Sequence, residues 1–265
     1  MYDHTRKAGN RGDVWKHFTL LETVRALSST LPAGSVFRYF ETHAGGGTYV
    51  LQERGEWQSG IGRDGVALQY GRHPFFRIQP AGATPGDVYH GSWHLVAAYL
   101  RHRRQPFHFI LCDIVSDVRD RIAPFHLQAG ETLEPRCTDG FVEIRRSGTG
   151  FDLVLLDPPY YPADTTTDWV ACMDTVTYLR KHNVPYLAWY PLFTPDAPGT
   201  FTNAVVSPAF EIRWQKTSLS GGRTMRGAGM LASHEIARIL TRQGHELEKL
   251  AQSLGGVFAT RTARN

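Results

Sequence analysis

The sequence contains 265 residues, of which 42% are hydrophobic, so the chain can bury a substantial core as a single α/β domain. Lys and Arg outnumber Asp and Glu by 29 to 25, and the isoelectric point near 9.0 favours a polyanionic partner. The polar N-terminus and the lack of an apolar run of ~18 residues predict a cytoplasmic protein without a signal peptide or a membrane span. Three isolated cysteines without metal-binding spacing predict reduced thiols and no metal site.

The first helix follows a polar, glycine-containing segment, residues 1–13, which we predict to be a loop or flap. Apolar residues at helical spacing from Val14 to Leu27 predict a helix with Asp13 as its N-cap. Lys16 and His17 would then lie in about the first turn, where a cation opposes the helix dipole. An ordinary polar face is the alternative to a role in a site.

A strand, a glycine-rich turn and a helix are predicted next. Residues 36–40 form the strand, Gly45 to Gly47 form the turn, and a short helix would begin at about Thr48. Such a turn lets the backbone approach a nucleotide-like cofactor closely. The dinucleotide fingerprint is not met because Val50 stands where Gly or Ala is required, which disfavours a nicotinamide enzyme. S-adenosylmethionine has no pyrophosphate and remains compatible with this loop, although a plain tight turn is the alternative.

Residues 53–90 break the strand and helix rhythm because they are rich in Gly and Pro, and we predict that they form an inserted subdomain, partly helical near 65–71. Ser92 is predicted to cap a helix over residues 93–105. That helix ends in four basic residues, 101–104, which either complement the helix dipole or offer a patch to phosphates.

Acidic residues end the next two predicted strands. Asp113 follows the strand 107–112, where doubly wound nucleotide folds place a carboxylate on the ribose hydroxyls. After a helix over 116–125, the strand 133–137 leads to Asp139 and Gly140. This pair is well placed to contact the edge of an adenine ring, although it is also an ordinary turn.

The most specific chemistry lies after residues 153–156, an apolar run that predicts a strand buried on both faces. Asp157, Pro158, Pro159 and Tyr160 follow it. An exocyclic amine attacks a methyl group well only when its hydrogens are drawn towards acceptors, and the Asp157 carboxylate and the Pro158 carbonyl can be those acceptors. Tyr160 offers a flat face for a base pulled from its stack. A strand followed by a proline-rich turn is the alternative.

The remaining pattern predicts a helix over 168–182, a fifth strand over 185–191 and an antiparallel pair over 209–219 and 227–232. A cationic loop, residues 220–226, joins the pair and could touch nucleic acid. One last helix over 234–254 would be scaffold, with Gly255 beyond it as a stop.

These motifs, in this order, resemble the J-type methyltransferases that modify an adenine N6 in large-subunit (23S) ribosomal RNA. The resemblance covers nearly the whole chain. Its carriers are Ala8-Gly9-Asn10, Asp13-Val14-x-Lys16-His17, Thr42-His43-Ala44-Gly45, Gly91-Ser92, Asp139-Gly140-Phe141, Leu156-Asp157-Pro158-Pro159-Tyr160, Trp189-Tyr190-Pro191 and Arg226-Gly227-x-Gly229-Met230. The chain departs from the family at Asp113, where a Glu is usual, and at Asp3, where a basic residue is usual.

The resemblance implies a fold and a set of site residues. The fold is a doubly wound, Rossmann-like methyltransferase sheet, mostly parallel with an antiparallel last strand, and a small insertion follows its first core strand. The implied catalytic residues are Asp157, Pro158 and Tyr160. The implied residues for S-adenosylmethionine are His17, His43, Gly45, Ser92, Asp113, Asp139, Gly140 and Asp157, and those for RNA are Tyr2, His4 and Lys16.

The sequence therefore predicts an S-adenosylmethionine-dependent enzyme that methylates the N6 amine of an adenine in 23S ribosomal RNA, free or in an early pre-ribosomal particle. It is expected to act as a monomer without a metal. One alternative is the same chemistry on DNA, which the lack of a recognisable DNA-reading module disfavours. Another is a non-catalytic nucleic-acid-binding or DNA-uptake protein on the same fold, which the intact Asp-Pro-Pro-Tyr disfavours.

Overall fold

An eight-stranded sheet with helices packed on both faces forms the centre of the molecule. The computed structural model describes residues 6–64, 66, 73–80, 82–160, 165–193, 207–214 and 225–262. The strands are β1 Phe37–Glu41, β2 Thr48–Val50, β3 Val88–His90, β4 Phe107–Asp113, β5 Glu131–Cys137, β6 Leu153–Leu156, β7 Tyr186–Leu192, β8 Ala209–Trp214, β9 Gly227–Ala232 and β10 Gly256–Arg261. The helices are α1 Arg11–Thr30, α2 Pro74–Ile78, α3 Ser92–His102, α4 Val118–Ile122, α5 Gly140–Ser147, α6 Thr165–Lys181, α7 His234–Arg242 and α8 Gly244–Ser253.

The strand order of the large sheet is β10-β8-β9-β7-β6-β1-β4-β5. Strands β1, β4, β5, β6 and β7 run parallel, whereas β8, β9 and β10 pair antiparallel. The chain adds β4 and then β5 on one side of β1 before it places β6 on the other side. The order therefore reverses between β1 and β6, and open α/β sheets bind ligands at such a point. The predicted doubly wound, Rossmann-like fold is confirmed.

Strand β6 is buried on both faces, as its apolar run predicted. Val154 and Leu156 belong to the cluster that contains the inner faces of α5 and α6. Leu153 and Leu155 point to the other cluster, which α1, α3, α7 and α8 cover. A central strand covered in this way holds the residue that follows it at a fixed position.

Helix α1 begins three residues earlier than predicted, at Arg11, and its N-cap is Asn10. The Asn10 Oδ1 accepts a hydrogen bond of 2.9 Å from the backbone N–H of Asp13. Asp13 is therefore inside the first turn, and the prediction that it caps the helix is wrong. The cause is local, because Asn and Asp are equally good caps and two of them stand three residues apart. Lys16 and His17 consequently lie in the second turn.

The chain leaves the glycine turn as strand β2, and the prediction of a helix there is wrong. Residues 48–50 are β-branched or aromatic, which favours a strand, and β2 pairs antiparallel with β3. The helix that normally follows such a turn is α3, which comes later in the sequence, after β3. A hydrogen bond of 2.7 Å from the Gly91 N–H to the Gly47 carbonyl holds the start of α3 next to the turn. Gly91, and not the predicted Ser92, is the N-cap of α3.

The segment between β2 and β3 contains a short 3-10 helix, Glu56–Ser59, and helix α2. The helical stretch predicted near 65–71 lies outside the described residues except for Val66. The assignment of residues 53–90 to a subdomain, and of the whole chain to one domain, stays a prediction.

The C-terminal part differs from the prediction in three ways. The predicted antiparallel pair is present as β8 and β9, but the single last helix is wrong, because α7 and α8 meet at Gln243. Strand β10 was not foreseen; Gly255, with a φ of +71°, lets the chain turn back and pair with β8. The helix predicted over 116–125 is the shorter α4. In the predicted cationic loop only Met225 and Arg226 are among the described residues.

In the described ranges, no helix is both long and apolar enough to cross a membrane. Within the same ranges, no three His, Cys, Asp or Glu side chains are grouped so that they could hold a metal ion.

Candidate active site

The carboxyl ends of four parallel strands bring acidic residues to one edge of the sheet. Glu41 is the last residue of β1, and Asp113 is the last residue of β4. Asp139 lies two residues beyond β5, and Asp157 directly follows β6. Because these strands are parallel and adjacent, their carboxylates share a crevice at the switch point.

Asp157 is held by a buried lysine from the second turn of α1. The Lys16 Nζ lies 2.6 Å from Asp157 Oδ2 and 3.1 Å from Asp13 Oδ1. Lys16 is only 4% exposed. Burial alone would lower the pKa of Lys16, but the two carboxylates outweigh it and raise the pKa above its ordinary value. The lysine is therefore a fixed positive charge between two carboxylates.

Asp13 is itself fixed by the start of α1. Its Oδ2 accepts a hydrogen bond of 3.1 Å from the Gly9 N–H, and its own N–H donates to the Asn10 cap. Gly9 has a φ of +76°, and a Cβ there would lie 2.9 Å from the side chain of Ile61. The Ala8-Gly9-Asn10 segment thus positions the acid that helps to hold Lys16.

Two aromatic side chains lie beside this ion pair. The Lys16 Nζ is 5.4 Å from the centroid of the Trp189 ring, which is on β7. The Tyr160 ring lies 5.7 Å from the Trp189 ring, and its hydroxyl donates to the Trp189 carbonyl at 2.9 Å. Tyr160 is only 2% exposed. The expected open face for stacking is therefore not present in this conformation, because the Tyr160 ring is buried.

The glycine turn is tied to the end of β4. Asp113 Oδ2 accepts a bond of 3.1 Å from the Gly45 N–H, and its Oδ1 accepts one of 3.0 Å from the Val115 N–H. The Ala44 N–H donates to the Cys112 carbonyl at 2.8 Å. The structure thus brings Gly45 and Asp113 together, as the sequence predicted for one crevice.

Beneath the turn, Glu41 forms a buried hydrogen-bonded unit with Ser92 and Tyr39. Ser92 Oγ donates to Glu41 Oε1, and the Tyr39 hydroxyl donates to Glu41 Oε2 at 2.8 Å. Glu41 is fully buried, and burial raises its pKa to about 8 despite the two donors. Ser92 therefore lies next to the turn with its hydroxyl directed at Glu41.

His43, Asp139 and Gly140 meet on the other side of the turn. The His43 ring packs edge-on against Phe141 at 5.0 Å, and burial lowers its pKa although several carboxylates oppose the effect. Asp139 caps α5 by accepting from the N–H of Phe141 at 2.8 Å. A Cβ on Gly140 would lie 2.2 Å from the Thr42 carbonyl oxygen, so this close approach requires glycine.

His17 is buried, and its Nδ1 lies 2.8 Å from the Tyr89 hydroxyl on β3. It joins α1 to the β2 and β3 hairpin at the base of the site. Tyr2 and His4, which the sequence assigned to RNA, lie outside the described residues.

Sequence reasoning missed three residues of this crevice. The sequence places Glu41 only in the segment that follows the first strand, whereas in the structure it ends β1 and is the buried partner of Ser92. Trp189 belongs to a motif of the resemblance that implies no role for it, although it contacts both Lys16 and Tyr160. Ile114, directly after Asp113, exposes 70% of an apolar side chain at the crevice edge. The sequence contains a signal for Ile114, because an apolar residue directly follows the acidic residue that ends the predicted strand.

The crevice fits a nucleoside-containing cofactor on its own chemistry. Carboxylates at the ends of β4 and β5 accept hydrogen bonds from hydroxyl or amino groups, and exposed apolar side chains at Ile114 and Val142 lie beside them. Glycines at 45 and 47 with positive φ keep the turn close to the strand ends. The acidic residues disfavour a pyrophosphate, whose charge they would repel.

A family model described as ribosomal RNA large subunit methyltransferase D, RlmJ, matches residues 34–231. A curated relative, ribosomal RNA large subunit methyltransferase J of Haemophilus influenzae, is 26% identical over 207 residues, which cover 72% of this chain and 70% of the relative. Among solved structures, that of protein LPL1258 from Legionella pneumophila matches with a TM-score of 0.72 and 17% identity, and the match covers 97% of this chain and 99% of that one. This last likeness concerns the fold alone.

Proposed function

The chain belongs to the RlmJ family of ribosomal RNA large subunit methyltransferases, and we propose that it transfers a methyl group from S-adenosylmethionine to N6 of an adenine in 23S ribosomal RNA. In the same proposal the protein acts as a cytoplasmic monomer without a metal, on free RNA or an early pre-ribosomal particle.

The observation that carries the proposal is the state of Asp157 at the end of β6. Its Oδ2 is bonded to Lys16, whereas its Oδ1 accepts no hydrogen bond from the rest of the described chain. One carboxylate oxygen is thus fixed by a cation and the other remains for the target amine. A carboxylate can accept hydrogen bonds at both oxygens, so the oxygen that Lys16 leaves open can accept one from the amine.

The amine is activated by two acceptors. Asp157 Oδ1 takes one of its hydrogens and the carbonyl of Pro158 takes the other, which makes the nitrogen more pyramidal and directs its lone pair at the methyl carbon. The cofactor would supply the methyl group, whose bond to sulfur would break as its bond to N6 formed, and Asp157 is the nearest acceptor for the proton that N6 must then release. Positive charge grows on the nitrogen during transfer, so the carboxylate binds the transition state more strongly than the ground state.

The cofactor supplies an electrophilic methyl group on a positively charged sulfur. In this proposal Asp113 accepts hydrogen bonds from its ribose, and Asp139 and Gly140 contact its adenine edge. Gly45 allows the close approach, while Ser92, His17 and His43 line the end nearest to Asp157. These assignments are supported by the contacts that bring Asp113, Ser92 and His43 close to the glycine turn.

On the substrate side, Tyr160 and Trp189 would border the adenine once it is pulled from its stack. Because Tyr160 is bonded to the β7 backbone, we assign it the positioning of Trp189 and of the Asp157 loop, and stacking only after a rearrangement. Lys16 acts on the substrate through Asp157, and Tyr2 and His4 contact the RNA.

The proposal is tested by methylation of transcribed 23S ribosomal RNA with a radiolabelled methyl donor, followed by digestion and identification of the methylated nucleoside. We expect N6-methyladenosine at one position. Transcripts in which that adenine is replaced by purine riboside, which lacks the amine, are the matched control and should not react. Methylation of duplex DNA in place of RNA would establish the DNA alternative, and no methylation of either polymer would contradict the proposal.

A further inference from the structure

A second cavity lies outside the crevice at the strand ends, between α3 and the segment that follows α4. Its volume is about 660 Å³. The residues that line it include three aromatic side chains, Trp93, His94 and Phe125, and two arginines, Arg101 and Arg121. One side is formed by Gly46 and Thr48, on the outer side of the glycine turn. Neither Asp157 nor Asp113 lines this cavity.

The wall is a set of flat rings. His94 stacks on His90 with 4.5 Å between centroids and 9° between planes. Phe125 meets His94 edge-on at 5.2 Å and Trp93 edge-on at 5.5 Å. Rings fixed against one another form a rigid surface on which another flat ring can stack at little cost in conformational entropy.

These rings also hold buried polar atoms that lack hydrogen bonds within the described chain. The indole N–H of Trp93, which is 1% exposed, has no partner, and neither does Nδ1 of His94 or of His90. Burial, together with the neighbouring His90 and Arg101, lowers the pKa of His94 to about 4. A neutral imidazole offers one donor and one acceptor. The exposed part of the His94 ring is therefore uncharged, so a flat ring can stack on it.

The cavity is also lined by two arginines, and ion pairs hold both of them in place. Arg101 forms two bonds with Glu131, at 2.8 and 2.5 Å, donates to the His126 carbonyl and lies 4.5 Å from the Phe125 ring. Arg121 pairs with Asp117 at 2.9 Å. The carboxylates offset part of the charge of these two arginines. Arg103 and Arg104, exposed at the end of α3, add positive charge that no acid of the described residues pairs.

We propose that this cavity binds one unpaired nucleotide of the substrate RNA, distinct from the adenine that is methylated. The inference rests on the proposed function. A cavity of this size falls within the roughly 300–1,000 Å³ of small-ligand sites. Single-stranded RNA is recognised by stacking of splayed bases on aromatic rings, with base edges read by hydrogen bonds and phosphates held by cations.

The position of the cavity gives it a consequence for catalysis. The Trp93 ring packs on the glycine turn so closely that a Cβ on Gly47 would lie 2.0 Å from it. A nucleotide bound against Trp93 therefore contacts the same turn whose other side faces Asp113. The RNA would be held at two points, and the second point would orient the target adenine without entering the crevice.

The first test uses two conservative substitutions, His94→Leu and Phe125→Leu, with Phe258→Leu as the matched control. Phe258 is a half-buried aromatic residue on β10 that packs on Trp15, away from the cavity. We expect each cavity variant to raise KM for ribosomal RNA about tenfold, the scale of one lost stacking contact. Their affinity for S-adenosylmethionine should stay within about twofold of the wild type. KM values equal to that of the control variant would overturn the inference.

The second test needs no substitution. Wild-type protein is irradiated with a short oligouridine that contains 5-iodouridine and offers no adenine to the crevice. Crosslinks on Trp93, His94 or Phe125 are expected, and crosslinks confined to other peptides would overturn the inference. If the wild type methylates ribosomal RNA but neither test succeeds, only the cavity assignment fails; if it methylates no RNA, the proposed function fails first.

Discussion

Replacing Lys16 by methionine should cost far more stability than the loss of an ordinary lysine. Methionine keeps most of the length of the side chain but removes the ammonium that joins Asp157 and Asp13. The side chains of Lys16, Asp157 and Asp13 are 5%, 15% and 9% exposed. Water therefore cannot solvate the two carboxylates that would be left without their cation. Removing one partner of a buried ion pair costs about 3–5 kcal/mol.

The loss should be visible as a lower melting temperature, on the order of 10 °C for a chain of this size. Because the pKa of Lys16 is raised in the folded protein, its stabilising contribution is complete below its ordinary pKa and is lost only as the pH rises through the higher folded value. The difference between wild type and Lys16→Met should therefore be constant between pH 6 and pH 9. Chemical denaturation at several pH values within this window measures it.

Two controls make the measurement specific. Lys249→Met removes an exposed lysine that lies 3.5 Å from Glu246, and it should cost less than about 1 kcal/mol. Adding Asp13→Asn to Lys16→Met should recover part of the lost stability, because only one carboxylate then lacks a cation. If Lys16→Met unfolds with the same free energy as Lys249→Met, the buried ion pair is not the link between α1 and β6.

Three other substitutions probe the remaining parts of the site. Asp157→Asn should bind cofactor with little change but methylate ribosomal RNA on the order of a hundredfold more slowly, and a wild-type single-turnover rate would remove Asp157 from the mechanism. The variant should also melt at a lower temperature than the wild type, because the buried Lys16 loses one of its two charged partners. Asp113→Ala should weaken S-adenosylmethionine binding by roughly 1–3 kcal/mol by calorimetry, whereas unchanged affinity would exclude it. Glu41 has a folded pKa of about 8, above its ordinary 4.5, so its stabilising contribution is complete below about pH 4.5 and is lost as the pH rises through 8. Glu41→Gln should make the melting temperature depend less on pH between pH 5 and pH 9. A dependence as steep as that of the wild type would contradict this account.

The strand skeleton and the crevice position followed from the sequence because they depend on local signals. Apolar runs end in Asp113 and Asp157, and parallel strands must place such residues at one edge. The errors occurred where two local signals competed. Thr48 to Val50 favours a strand although a helix usually follows a glycine turn, and Asn10 and Asp13 are equally good caps. The hydrogen bond from Gly91 to Gly47 places the start of α3 next to the glycine turn, where the helix of such a fold usually begins. This is a tertiary contact, and no local sequence pattern predicts it.

The pairing of Lys16 with Asp157 could not be predicted because 141 residues separate them. The oddity of a lysine near a helix start was visible, but its explanation requires the β6 carboxylate. In the folded protein the opposing dipole is outweighed by two carboxylates. A cation that is unfavourable near a helix start is thus retained where it fixes Asp157, the acceptor that we propose for the target amine. The same helix carries His17 to the base of the crevice that we propose for the cofactor. The position of α1 relative to β6 therefore determines both halves of the site, so a change that shifts α1 should impair cofactor binding and methyl transfer together.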